Sequence, residues 1–187
     1  VVMTSKVNGV RGNGWHGGVI GAGYVAAVPN GAFTALASGN VQDFEYDGFS
    51  VRVQATSATG TCLSTSSRGG NVAKNMILSG VSVAFGVGLA LNGAMTYIHR
   101  CLITGLLRGL ATGSFAHGSL FANNTVVGNG TGIYAEGSGA NTVGKYYNNV
   151  VYGNTTNWSR ATPALVEIAT NNTGQSGDAI AAWAVGA

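Results

Sequence analysis

Charge is what this chain has least of. Asp, Glu, Lys and Arg together make up 8% of its 187 residues, against roughly 25% in an ordinary soluble domain. Nine Lys and Arg against six Asp and Glu leave a net charge of +3, spread thinly and without a basic run. Nucleic-acid binding needs a clustered cationic face to neutralise phosphates, so it finds little support here. Proline is nearly absent and cysteine occurs twice, which excludes a proline-rich linker and a disulfide-dense scaffold. No stretch of about 18 apolar residues is present, so no membrane-spanning helix is expected. The opening Val1-Val2-Met3-Thr4-Ser5-Lys6 lacks the charged-then-apolar order of a signal peptide. It also lacks an initiator Met, which suggests processing or a piece of a longer chain.

What is abundant is Gly, with 31 residues, together with Asn, Val and Thr, and 45% of the chain is apolar. This composition favours short strands joined by tight turns, with some apolar surface left for partners. The strands recur. Val51, Ile77, Leu102, Val126 and Val151 follow one another at steps of 26, 25, 24 and 25 residues. Five residues upstream of each stands a second apolar column, Tyr46, Val72, Tyr97, Phe121 and Tyr146. A period of this length marks a solenoid.

The fourth repeat runs Ser119-Leu120-Phe121-Ala122, a corner at Asn123-Asn124, Thr125-Val126-Val127, a corner at Gly128-Asn129-Gly130, then Thr131-Gly132-Ile133-Tyr134-Ala135. The fifth copies it from Lys145 to Trp158. A corner after every short run describes one coil of a parallel β-helix, with layers ~4.8 Å apart. The fold class expected is all-β, a solenoid of about five coils over 41–160. Residues 1–40 are read as a cap or irregular first coil and 161–187 as an irregular C-terminal segment. Asn75, Asn124 and Asn149 are placed in one corner column, interrupted by Arg100, where Asn suits the left-handed bend and stacked amides can bond between layers. Cys62 and Cys101 lie in non-adjacent repeats, ~10 Å apart along the axis, and are read as buried free thiols.

Alternation along each run sends Ile77, Leu102, Val126 and Val151 inward. Leu78, Ile103, Val127 and Tyr152 are then expected to face out as an apolar stripe, the mark of an interface, most simply self-association.

Motifs for chemistry are few. Val19-Ile20-Gly21-Ala22-Gly23 imitates a dinucleotide-binding turn, but Pro29-Asn30-Gly31 stops any helix that would receive a pyrophosphate, and no cofactor is expected. Asp43, Glu45 and Asp47 alternate along one run and present the chain's main carboxylate cluster, the weak candidates for glycoside hydrolysis or calcium; a solvated or intersubunit face fits them better. His16, His99 and His117 show no metal-ligand spacing, and His99 is placed with Lys74, Asn123 and Asn148 as a corner residue. The Asn-x-Thr/Ser sequons at Asn123, Asn129, Asn154, Asn157 and Asn171 follow from Asn- and Thr-rich turns.

Through Phe121-Ala122-Asn123-Asn124-Thr125-Val126-Val127-Gly128-Asn129 and Tyr147-Asn148-Asn149-Val150-Val151-Tyr152-Gly153-Asn154, the chain resembles right-handed parallel β-helix proteins of the pectate-lyase-like superfamily, over about 41–160. Within it the style is most similar to tailspike-like virion proteins of tailed bacteriophages. That resemblance implies a homotrimer on a virion, contacting the major capsid protein or other virion proteins. The lyases' calcium site and catalytic Arg or Lys map onto no residue here. For a tailspike hydrolase only Asp43, Glu45, Asp47 and Glu136 are available. The expectation is a non-enzymatic protein that decorates or stabilises a capsid. The alternative is a tail receptor-binding or polysaccharide-cleaving spike, with Trp158, Tyr134 and Tyr152 stacking on sugars. A secreted glycan-active β-helix is the third reading, disfavoured by the missing signal and catalytic set.

Overall fold

The computed structural model describes residues 10–11, 25–28, 33–37, 45–48, 50–55, 60–65, 70–113, 118–135, 144–160, 168–170 and 172–173. All of its regular elements are strands. In chain order they are β1 (Val10–Arg11), β2 (Val25–Val28) and β3 (Phe33–Ala37), then β4 (Glu45–Asp47), β5 (Ser50–Ala55) and β6 (Gly60–Thr65). There follow β7 (Val72–Lys74), β8 (Ile77–Gly80), β9 (Val87–Leu91), β10 (Tyr97–His99), β11 (Leu102–Thr104) and β12 (Arg108–Thr112). The last are β13 (Ser119–Ala122), β14 (Thr125–Val127), β15 (Thr131–Ala135), β16 (Gly144–Tyr147), β17 (Val150–Tyr152), β18 (Thr156–Arg160) and β19 (Ile168–Thr170).

Every third strand pairs, always in parallel, so the chain winds around three walls. The first wall is β1-β4-β7-β10-β13-β16-β19, the second β2-β5-β8-β11-β14-β17 and the third β3-β6-β9-β12-β15-β18. This is the all-β parallel solenoid expected from the period. Its regular part makes about four turns, over 70–160, rather than five. Strands β1 to β6 continue the same sheets on the N-terminal side, with most of their connections outside the described residues. Gly18–Ala22, Thr56–Thr59 and residues 174–187 also lie outside them. The C-terminal segment is more regular than expected at one point: β19 pairs with β16 in register, Tyr146 opposite Ala169.

The walls alternate in and out as strands must. Inward on the first wall stand Tyr46, Ala73, Ile98, Phe121 and Tyr146, and on the second Val51, Leu78, Ile103, Val126 and Val151. On the third, Leu63, Leu89, Leu110, Ile133 and Trp158 form the matching column. Phe121 and Tyr146 stack at 4.8 Å, and Trp158 meets Tyr146 edge-on at 5.4 Å, so aromatics fill the C-terminal part of the core.

Two of the expected columns are therefore corrected. Leu78 and Ile103 are buried, not outward, and Ile77 and Leu102 face out in their place. On the first wall Val72 and Tyr97 face out, and Ala73 and Ile98 fill the core. The cause is unequal turn length: from Val51 through Leu78, Ile103 and Val126 to Val151 the steps are 27, 25, 23 and 25. Smoothing them toward 25 slips two turns by one residue, which reverses every side chain in those turns.

The corners explain the abundance of Asn. Between the first and second walls Asn75, Arg100, Asn123 and Asn148 align, and all four adopt left-handed backbone, with φ between 53° and 57°. Asn enters this conformation more readily than other side chains, whereas Arg100 adopts it at a cost of about 1–2 kcal/mol. Asn75 thus belongs to this exposed column and not with Asn124 and Asn149, which sit one position later and are buried.

Those buried amides form a ladder. Asn124 Oδ1 accepts from the Cys101 N–H at 3.0 Å, and Asn149 Oδ1 accepts from both the backbone N–H and Nδ2 of Asn124, each at 3.0 Å. Asn172 Oδ1 repeats the arrangement toward Asn149 at 2.9 and 2.8 Å. The second hydrogen of each Nδ2 goes to a carbonyl of the preceding layer, Ile98, Phe121 and Tyr146 in turn. A second ladder runs along the next corner from Leu106 through Asn129 and Asn154 to Asn157. The buried amides of Asn124, Asn129 and Asn149 are thus satisfied by one another and by backbone carbonyls.

Cys62 and Cys101 are buried and free, as expected. Burial pushes each thiol up to about 12, so both stay protonated and unreactive at neutral pH.

Candidate functional site

Two outward faces carry the residues of interest. On the first wall, β4 sets Glu45 and Asp47 on one side, as their period-two spacing requires. The next layer brings Lys74 over both: its Nζ lies 3.2 Å from Glu45 Oε1 and 3.7 Å from Asp47 Oδ2. Asn75 Nδ2 donates to Asp47 Oδ1 at 2.8 Å. The two carboxylates are thus held in an ion-pair network across adjacent layers. Asp43 lies outside the described residues, as do His16, His117 and Glu136.

His99 ends β10 one layer further on, stacked on Tyr97 with ring centroids 4.3 Å apart. Its column contains Lys74, Ala122 and Tyr147, not Asn123 and Asn148. Burial first, then the positive charges of Arg100 and Lys74, hold its imidazole below the ordinary value, with Asp47 and Glu45 opposing. Among the described residues no group of three His, Cys, Asp or Glu is placed to hold a metal ion.

The outward face of the second wall has a different character. Its two columns are Ser50, Ile77, Leu102, Thr125 and Val150, and Arg52, Ser79, Thr104, Val127 and Tyr152. Arg52 is the one charged residue of those ten. Ile77, Leu102 and Val127 are half-buried, while Val150 and Tyr152 are 39% and 54% exposed. Of the four interface residues expected, Val127 and Tyr152 therefore lie on this face and Leu78 and Ile103 lie beneath it.

Beside this wall, the corner after β8 is lengthened into an apolar loop that the repeat pattern did not single out. Val81 and Val83 are each 48% exposed and Phe85 38%. Its backbone is fixed nonetheless. Phe85 O accepts from the Leu107 N–H at 2.8 Å, Ser82 Oγ accepts from the Ala84 N–H at 3.1 Å, and a Cβ on Gly130 would stand 2.8 Å from Val83 O. The signal in the sequence was the run Val81-Ser82-Val83-Ala84-Phe85 between Gly80 and Gly86, apolar where the other corners carry Asn or Gly.

The aromatics expected to stack on sugars divide. Trp158 is buried against Tyr146, Tyr134 lies under Arg108 with the guanidinium 4.0 Å from its ring centre, and Tyr152 alone of the three stands well exposed. Comparison with protein families, with curated proteins and with solved structures finds no match to this chain.

Proposed function

We propose that this chain is a structural protein that self-associates through the outward face of its second wall. The observation that carries the reading is that face itself, with Arg52 as its one charge, and bordered by the apolar Val81–Phe85 loop. Five of its ten outward positions are apolar and four are Ser or Thr, and it is together with the exposed Val81, Val83 and Phe85 beside them that they favour burial against protein. Five layers make the wall about 24 Å tall, and a three-residue strand is about 10 Å wide, so the face alone offers roughly 240 Å². A stable contact needs about 800 Å² from each partner. The loop and the adjoining corners must therefore take part, and a closed homotrimer doubles what each copy buries.

The setting we propose is the surface of a tailed-phage particle, as a tailspike-like decoration that stabilises the capsid by contact with its major protein. This rests on the resemblance of the Asn-cornered repeats, and on carboxylates tied to Lys74 and Asn75 rather than paired for acid and base work. A tail protein that binds host polysaccharide is the second reading, favoured by the exposure of Tyr152.

Light scattering on the purified chain tests self-association: a trimer is expected, with Leu102→Asp and Tyr152→Asp shifting it toward monomer while circular dichroism stays unchanged. A monomeric parent chain at micromolar concentration overturns it. Antibody labelling of particles tests the setting. Label on the capsid supports decoration, label at the tail supports the second reading, and unlabelled particles sink both.

A further inference from the structure

Among the described residues two Asn-Gly pairs stand at corners, Asn92-Gly93 and Asn129-Gly130. In such a pair the glycine amide nitrogen can attack the Asn side-chain carbonyl carbon. The bond to the side-chain nitrogen breaks and ammonia leaves, so a five-membered succinimide forms. Water then opens the ring at either carbonyl, giving Asp or isoaspartate. Glycine, with no Cβ in the way, offers the least hindrance to ring closure. The folded structure decides whether the two groups can meet.

At Asn129 they are held apart. The nucleophile, Gly130 N, donates to Leu106 O at 2.8 Å. The side chain is buried in the second ladder: Oδ1 accepts from the Leu106 N–H at 3.1 Å, and Nδ2 lies within bonding distance of Asn154 Oδ1, Ile103 O and Val127 O. Ring closure there requires these bonds to break together. At Asn92 the side chain is exposed, just past the end of β9, and one bond ties it, from Nδ2 to Ser64 Oγ at 3.2 Å on the surface.

We propose that Asn92 is a site of spontaneous deamidation in the folded protein, and that Asn129 is shielded from the same reaction by its amide ladder. Conversion replaces a neutral amide with a carboxylate beside Ser64. The isoaspartate product also lengthens the backbone by one methylene ahead of Gly93, whose carbonyl lies within reach of the Thr96 and Ser119 hydroxyls at 3.5 and 3.4 Å. Ageing would thus loosen the corner that leads from the third wall back to the first.

Peptide mapping by mass spectrometry, on the full chain held in mildly alkaline buffer with and without urea, tests this. In the folded protein Asn92 is expected to convert more than about tenfold faster than Asn129, since several buried hydrogen bonds must open for the latter. In urea the two rates are expected to converge. Asn92→Gln, whose longer side chain closes a less favourable ring, should remove the fast signal without changing the slow one. The proposal is overturned if Asn129 keeps pace with Asn92 in the folded chain. It is equally overturned if Asn92 converts only in urea.

Discussion

Asn149 Oδ1 accepts two hydrogen bonds from Asn124, one from its backbone N–H and one from its side chain, both at 3.0 Å and both buried. One oxygen therefore satisfies two donors of the neighbouring layer. Asn149→Ala leaves the buried Asn124 N–H without a partner and takes one of two from its Nδ2, at about 1–3 kcal/mol for an orphaned buried group. A loss of roughly 2–4 kcal/mol is expected by urea denaturation. A loss below about 0.5 kcal/mol, the size of an ordinary surface change, would show that the ladder is ornamental.

Gly109, on the third wall, lets the next layer come close, both along its own wall and at the core residue of the second. A Cβ there would lie 2.6 Å from Gly132 O and 2.7 Å from Val126 Cγ1, a backbone atom and a branched core side chain, neither of which yields easily. Gly109→Ala is expected to destabilise by about 1–3 kcal/mol or more from overpacking alone. A thermal melt equal to the parent's would mean that the neighbouring layer gives way without cost.

The thiols of Cys62 and Cys101 are raised from 9.0 to about 12 by burial. The unfolded chain therefore releases these protons first as pH rises. Their contribution is fully present below pH 9 and is lost progressively between 9 and 12. At 1.36 kcal/mol per pH unit, the loss is on the order of 4 kcal/mol for each thiol at the top of the window. Denaturation of the parent and of the Cys62→Ala/Cys101→Ala variant from pH 8 upward checks this, since other alkaline titrations are common to both. Parallel stability curves would contradict it.

Ile77 and Leu78 are neighbours with opposite roles, one facing out and one in the core. Leu78→Asp places an unpaired charge among apolar side chains and is expected to abolish folding. Ile77→Asp should keep the native circular dichroism and weaken self-association. If Leu78→Asp folds and Ile77→Asp does not, the inward and outward faces are reversed.

That pair also shows how far the sequence could be read. The period exposed the solenoid, its parallel pairing and the Asn-rich corners, because each depends on residue type recurring at nearly constant spacing. Facing depends on parity, which one residue reverses, and turn length varies from 27 at Val51–Leu78 to 23 at Ile103–Val126. Val126 and Val151 were placed correctly because their turn is 25 long; Ile77 and Leu102 were not. Asn75 was misassigned for the same reason. Asn172 follows β19, whose position in register with Tyr146 is the small Ala169, so the period does not reach it. The Lys74 bridge across Glu45 and Asp47 was hidden, since it joins residues a full turn apart.

The amide ladders do not run the length of the barrel. At the position Asn124 occupies, the two preceding layers carry Cys101 and Met76, and Leu106 precedes Asn129 in the second column. Among the described residues, one half of the solenoid has buried side-chain amides linking successive layers at these two corners, and the other half has Met76, Cys101 and Leu106 in their place. The molecule thus has a grain, and it should open preferentially from the half that lacks amides. Amide hydrogen exchange read layer by layer reports this directly: protection should climb from β7 toward β16, and a flat profile would mean that the barrel unfolds as one block.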